Sequence, residues 1–287
     1  MKPSPFAYSA PESLDEALDV LARVGGDGKV LAGGQSLLPI LNMRLAAPAH
    51  VVDINRLPDL AYVVTEPSGV RIGALARHAD VERDAAAGQA LPLLRQALRL
   101  VAHPVIRNRG TTVGSLAHAD PSGEMTAVLA LTGGTVTAAR QGSTREIPAE
   151  EFFAGPLESC LEPGELAVAA TFPRLPARTG TTFLEVARRH GDYAVCGVAA
   201  AVTLDDDGAV ASARTAYIST APTPLVLDLT EAVAGQRPDG ADWAAAGELA
   251  AGQIDPETDI HATADYRRHL ARVLTGRALA EAAGRAA

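Results

Sequence analysis

Leu31-Ala32-Gly33-Gly34-Gln35-Ser36-Leu37 places two adjacent glycines between a short apolar run and a helical pattern. Lys29-Val30-Leu31-Ala32 reads as a strand. Leu38, Leu41 and Leu45 mark a helix over Gln35 to Arg44, with Pro39 in its first turn, where a missing N–H costs least. Glycines at a strand end let the backbone approach a ligand with no β-carbon in the way. A helix starting at Gln35 or Ser36 aims unpaired N–H groups and a positive dipole end at the same place, and Ser36 adds a hydroxyl. That set suits a pyrophosphate. A tight turn with a serine cap fits the same residues. A Rossmann fingerprint is excluded, because Gly-x-Gly-x-x-Gly is missing, and so is a Walker loop, because no Gly-Lys-Ser/Thr follows.

Outward from this segment the pattern alternates. Ser13 and Glu16 form a capping box ahead of Leu14, Ala17, Leu18 and Leu21, which predicts a helix to Val24 stopped by Gly25-Gly26. Val51-Val52-Asp53-Ile54 reads as a second strand. Farther on, Val70–Leu75 reads as a strand, His78–Ala87 and Pro92–Val101 as helices, Glu124–Leu131 as a buried helix, and Thr135–Ala138 as a strand. Pro173–Gly180 is proline- and glycine-bearing and poor in apolar residues, which suits a domain boundary. Beyond it, Tyr193–Leu204 and Val210–Ser219 read as strands joined by Asp205-Asp206-Asp207-Gly208, a hairpin signal. Leu229–Ala234, Trp243–Ala251 and Asp265–Ala283 read as helices. Strands followed by helices make an α+β ending.

A second segment, Arg107 through Pro121, combines Gly110, Thr111, Gly114 and Ser115 with His118 and Asp120. Thr111 and Ser115 can donate to phosphate oxygens. Alone it also fits an irregular loop at a domain edge. Two such segments about 80 residues apart, taken together, suit a dinucleotide gripped from two sides.

Composition narrows the classes. The 287 residues carry 25 basic and 34 acidic side chains, a net charge of −9, which disfavours a nucleic-acid partner. The length suggests two domains, and the hydrophobic share of 47% is enough to bury a core. Two cysteines, Cys160 and Cys196, are too few for an iron–sulfur cluster of their own and read as structural. The longest strongly apolar run, Ala194–Leu204, is shorter than the roughly 20 residues a membrane helix needs. Neither a secretory h-region nor a disulfide pattern is present, which points to the cytoplasm.

Ala32 to Leu37, Ile106-Arg107-Asn108-Arg109-Gly110, His118-Ala119-Asp120-Pro121, Gly191-Asp192-Tyr193-Ala194 and the Tyr266-Arg267-Arg268 helix together resemble the FAD-binding medium subunit of molybdenum hydroxylases, the group of carbon monoxide dehydrogenase and the xanthine dehydrogenase flavin domain. The resemblance runs nearly end to end. It implies an α+β chain: a vanillyl-alcohol-oxidase-type FAD-binding domain over 1–175, with α/β subdomains about 1–55 and 56–175. A C-terminal domain over 176–287, with a small antiparallel sheet and helices, would cover the isoalloxazine side. It further implies that Leu31, Ala32, Gly33, Gly34, Gln35, Ser36 and Leu37 wrap the pyrophosphate. Gly110, Thr111, Gly114 and Ser115 would take the second phosphate side, and Ala102 and Ile106 the adenosine or ribityl stretch. His118, Asp120 and Glu124 would also bind the cofactor, the two acids by bonding ribose or ribityl hydroxyls. Leu161 would pack near adenine and Tyr193 by the flavin ring. Val113 stands where the family shows a glycine; valine disfavours positive φ, so either the position does not need it or the loop sits differently.

The resemblance also implies partners. A molybdopterin-binding large subunit would oxidise the substrate, and a small subunit with two [2Fe–2S] clusters would carry electrons to FAD. An external acceptor such as a quinone, NAD or oxygen would then receive them. No Ser/His/Asp or Cys/His arrangement suggests a nucleophile, and His103, His118 and His190 read as structural or capping groups. Two other readings stay open on the residues: a free-standing flavin oxidase or dehydrogenase, and a scaffold without cofactor.

Overall fold

Ser13 Oγ accepts the Glu16 amide at 3.2 Å, and the Glu16 carboxylate reaches back to the amide of Glu12 at 2.8 Å. This cap starts α1 (Leu14–Val24), whose Ala17, Leu18, Val20 and Leu21 are buried. In the computed structural model, which describes residues 1–286, α1 covers a three-stranded parallel sheet of β1 (Ala7–Ser9), β2 (Gly28–Leu31) and β3 (His50–Asp53), with β3 central. Between β2 and β3 lies α2 (Leu37–Asn42). It is shorter than the helix expected over Gln35 to Arg44, because Gln35 and Ser36 stay in the turn and Arg44 takes a positive φ of 59°.

A five-stranded antiparallel sheet follows, assembled from β4 (Val63–Glu66), β5 (Gly69–Gly73), β6 (Thr135–Arg140) and β7 (Ser143–Pro148). Helices α3 (His78–Arg83), α4 (Ala85–Ala90), α5 (Pro92–Leu98), α6 (Pro104–Arg107), α7 (Thr112–His118) and α8 (Glu124–Thr132) fill the interval between β5 and β6. The single helix expected over His78–Ala87 is two, divided at Asp84, whose side chain caps the second. After α9 (Ala149–Phe152) a small hairpin, β8 (Phe153–Gly155) with β9 (Glu158–Ser159), leads to β10 (Leu166–Pro173). This last strand sits in the middle of the five, in the order β4-β5-β10-β6-β7. The sequence reading assigned it no element. Leu-Ala-Val-Ala-Ala is buried on both faces, so it shows neither alternation nor strong β-branching.

The remainder is a four-stranded antiparallel sheet, β11 (Thr179–Ala187), β12 (Ala194–Leu204), β13 (Val210–Ile218) and β14 (Leu225–Asp228), followed by α10 (Thr230–Val233), α11 (Trp243–Gln253) and α12 (Ala264–Gly284). The Asp-rich turn closes β12 onto β13 as expected, with Gly208 at φ 79°. Strand β11 was not expected, since its start lies in the glycine-bearing stretch read as a boundary.

This sheet has two buried faces. Cross-strand neighbours share a face. Phe183, Ala199 and Ala216 form one row, and Glu185, Gly197 and Ile218 the next. The apolar members of both rows belong to the core shared with α8. Val198, Val202 and Tyr217 point the other way, into a second core with α11 and α12. The C-terminal sheet therefore lies between α8 and the last two helices. No helix among the described residues is long and apolar enough to cross a membrane.

Candidate cofactor site at the seam

Three layers of residues bring the two glycine-bearing segments together. Gly33 lies directly on the Arg109–Gly110 peptide: a β-carbon there would overlap the Arg109 carbonyl oxygen and come within 2.7 Å of Gly110 Cα. Gly110 in turn lies on His78, whose Cδ2 would be 2.9 Å from a β-carbon at Gly110. His78 is 4% exposed, donates its amide to the Gly110 carbonyl at 2.9 Å, and holds Thr112 Oγ1 at 3.2 Å from Nδ1. Burial pushes its imidazole down to about 4, with Arg107 adding to the shift, so the ring is neutral.

Around this stack a polar frame fixes the loops. Asn55 Nδ2 donates to the Ala32 carbonyl at 2.8 Å. Arg77 donates to Asn55 Oδ1 and to the Arg109 carbonyl, each at 2.8 Å. Gln35 Nε2 reaches the Gly33 carbonyl at 3.2 Å. Gly34 holds φ 75°. Among the described residues, the amides of Gly33, Gly34, Gln35 and Ser36 donate to no backbone acceptor. Four consecutive amides without a backbone acceptor are the donors that an anion-binding nest requires. Leu31, Ala32 and Leu37 flank it, half-buried.

The second glycine-bearing segment, which also fitted an irregular loop, follows directly on α6 and is helical over α7. Thr111 caps α7, its hydroxyl accepting the Gly114 amide at 3.2 Å. Val113 is buried in the first turn at 1% exposure and shows no positive φ. The position therefore does not call for glycine here. The Ser115 amide is bonded to the Thr111 carbonyl. Ile106 receives the Gly110 amide at 2.7 Å, and Ala102, at φ 44°, gives its carbonyl to Arg107.

At the other end of α7, His118 Nε2 stands 3.8 Å from Asp120 Oδ2. Glu124 opens α8, half-buried. Burial, then the charge of Glu185, pushes its carboxyl up to about 8. Tyr193 is 67% exposed just ahead of β12, and its phenol is raised by burial of its oxygen and by Asp120 and Glu124. Asp120, Glu124 and Tyr193 thus share one neighbourhood, on the seam with the C-terminal sheet. Leu161 lies half-buried against the main core beyond the β8–β9 hairpin, which docks on the Ala119 carbonyl through the Leu157 amide. Among the described residues no hydrogen bond ties Leu161 to the glycine loops.

Asn55, Arg77, His78, Glu185 and Ser219 were not among the site residues suggested by the sequence. Glu185 alone left a signal, because it keeps the two-residue phase of Thr181 and Phe183 on an inward face. A surface groove lined by Ser9, Glu12, Glu16, Asp19, Arg23 and Gln141 lies elsewhere and has none of these loops in it.

Residues 4–175 match the FAD binding domain in molybdopterin dehydrogenase, and residues 181–282 the CO dehydrogenase flavoprotein C-terminal domain. The class is that of FAD-binding flavoproteins. The chain belongs to the FAD-subunit family of the molybdenum hydroxylases. Over 287 residues it is 41% identical to the 6-hydroxypseudooxynicotine dehydrogenase complex subunit alpha of Paenarthrobacter nicotinovorans, covering 100% of this chain and 97% of that one. It is 39% identical to the caffeine dehydrogenase subunit beta of Pseudomonas sp. strain CBB1, covering 99% and 97%. The flavin-side chain of carbon monoxide dehydrogenase from Hydrogenophaga pseudoflava, solved without the Mo-pyranopterin moiety, superposes with a TM-score of 0.94 at 35% identity, covering 100% of both chains. Relatives of this kind are subunits of oxidoreductase complexes, which favours the subunit reading over a free-standing oxidase.

Proposed function

We propose that this chain holds FAD between the Gly33-Gly34 loop and the α7–α8 segment and passes electrons from an iron–sulfur small subunit to an external acceptor. The substrate is then oxidised on a molybdopterin-binding large subunit. The observation that carries the reading is the contact of Gly33 with Gly110 beside four free amides. A diphosphate needs N–H donors and no β-carbon, and this concavity supplies both. FAD, when bound, supplies the redox centre that accepts and releases electrons.

The chain's own residues position it. Gly33 to Leu37 bind the diphosphate from one side, and Gly110, Thr111, Gly114 and Ser115 shape the other. Ala102, Ile106 and Leu161 line the adenosine side. Asp120 and Glu124, with His118 behind them, hold hydroxyls. Tyr193 covers the ring and controls what reaches it. The division at residues 175 and 176 separates the binding region from the covering one. The two free cysteines fit a reducing compartment, the cytoplasm.

The acceptor is of the quinone, NAD or oxygen class. The names of the relatives differ in substrate, as expected if substrate meets only the large subunit. The test is purification of the assembled complex from its host. Equimolar flavin, molybdenum and [2Fe–2S] clusters are expected, with flavin reduced by substrate and reoxidised by one acceptor class. A colourless chain that ignores added FAD overturns the reading.

A further inference from the structure

Two carboxyl groups stand on facing elements of the seam without a cation. Glu185 lies on β11 opposite Gly197, which is opposite Ile218 on β13. That row faces the core shared with α8, whose first residue is Glu124. Gly197 makes room in the row: a β-carbon there would stand 2.6 Å from Ile218 Cγ1 and 3.4 Å from Glu185 Cβ. Glu185 Oε2 is buried and has no hydrogen-bond partner. Among the described residues no arginine, lysine or histidine pairs with Glu124 or Glu185.

No arginine or lysine forms an ion pair with the acids around them among the described residues, Asp120 pairing only with His118. From the loop before α8 comes Asp120, with His118 at 3.8 Å from it. From the start of β12 comes Tyr193, which feels Glu124. Just past β13, Ser219 donates its amide to the Pro121 carbonyl at 2.8 Å, and its hydroxyl oxygen stands 2.8 Å from Ser122 Oγ, closing the seam from that side. Buried like charges without a counter-ion do not both ionise at neutral pH.

We propose that Glu185 and Glu124 form a carboxyl pair sharing one proton across the seam, with Glu185 a positioning residue that keeps Glu124 able to donate a hydrogen bond to the bound cofactor. The inference rests on the reading that Glu124 faces FAD. A single proton lowers the pair's charge from two to one and leaves one O–H in place of a second anion. Before the cofactor binds, that O–H is available to the orphaned Glu185 oxygen; with the cofactor bound, the same O–H is donated to the cofactor instead. Burial holds Glu185 up to about 7, in the same direction.

The test uses the assembled complex, stripped of FAD and titrated with FAD between about pH 6 and pH 9, as wild type, Glu185→Gln, Glu124→Gln and the double variant. Wild-type affinity is expected to fall by about tenfold per pH unit once the shared proton is lost, a one-proton linkage. Glu185→Gln moves that midpoint to lower pH while keeping FAD affinity at acid pH. Glu124→Gln flattens the profile. Infrared difference spectra of the FAD-free complex over the same range read the proton directly: a protonated-carboxyl band should titrate, shift down in either single variant and vanish in the double one. No such band, or a midpoint unmoved by Glu185→Gln, overturns the pair. An intact band with no FAD binding in any protein overturns the cofactor reading instead and leaves the shared proton standing.

Discussion

Gly33 and Arg109, 76 positions apart in the chain, are in backbone contact: the missing Gly33 side chain is replaced by the Arg109 carbonyl. Glycine is thus required there first to let two loops touch, and only through that to shape a binding surface. Gly34 differs. A β-carbon on it would meet only the flexible ends of Leu31 and Leu38, at 3.1 Å, but its φ is 75°. Gly34→Ala is expected to cost about 1 kcal/mol from backbone strain, with FAD bound several-fold more weakly. Gly33→Ala must push a loop aside and is expected to cost about 2 kcal/mol or more, with FAD affinity down by at least tenfold. Paired thermal unfolding and fluorescence titration of the two variants check the order; equal behaviour would refute the contact's importance.

Tyr193 is expected to govern flavin reactivity rather than FAD affinity. It is the most exposed of the site residues, and its surroundings are the acids of the seam, not the diphosphate loop. Tyr193→Ala should change the reoxidation rate of substrate-reduced complex by several-fold while leaving FAD affinity within about threefold, since a half-exposed ring contributes little net binding. Stopped-flow reoxidation and equilibrium titration decide the matter. Unchanged kinetics would remove Tyr193 from the site.

The seam's geometry has its own predicted anchor. Ser219 is a non-glycine residue at φ 62°, and its hydroxyl donates to the Ala194 carbonyl at 2.7 Å, one residue past Tyr193. Ser219→Gly keeps the φ and removes the hydroxyl bonds. It should relax Tyr193 and shift the visible circular dichroism of the bound flavin. The stability change should be small, about 1 kcal/mol, because relieved strain offsets the lost hydrogen bonds. A flavin spectrum identical to wild type would sever Ser219 from the site.

Much of this was legible in the amino-acid order. Helices α1, α8, α11 and α12, strands β2 and β3 and the β12–β13 hairpin carry apolar patterns, caps and an Asp-Gly turn, which are local signals, whereas β1 is three residues long and carries none. Strand β10 is alanine-rich and buried on both faces, and β11 begins inside a breaker-rich stretch, so neither carries a period to read. The loop around Arg107–Asp120 hid two short helices because glycine, threonine and serine favour caps as much as loops. Among the site residues, the glycines spoke for themselves. Asn55, Arg77 and Glu185 did not, because their roles arise from strand register and loop contact between residues far apart in the chain.

The pH dependence of folding follows from Glu124. Its carboxyl rises from an ordinary 4.5 to about 8 in the folded chain. A raised folded value means the folded state binds the proton more tightly than the unfolded one. The stabilisation is fully present below pH 4.5 and is lost as pH climbs towards about 8. Groups with lowered values act in the opposite sense: the Arg145 partner Glu165 and the Arg267 partner Asp259 lose their contribution only as the medium turns acid. The FAD-free chain should therefore show a melting temperature that declines by several degrees between about pH 6 and pH 8. Glu124→Gln, which keeps the shape and removes one titrating group, should shrink that decline and move it to lower pH, where Glu185 still titrates, while leaving the acid limb intact. Calorimetry of both proteins at matched ionic strength measures it. A wild-type melting temperature that holds level across this interval would mean that Glu124 is ionised in the folded chain and paired with a cation.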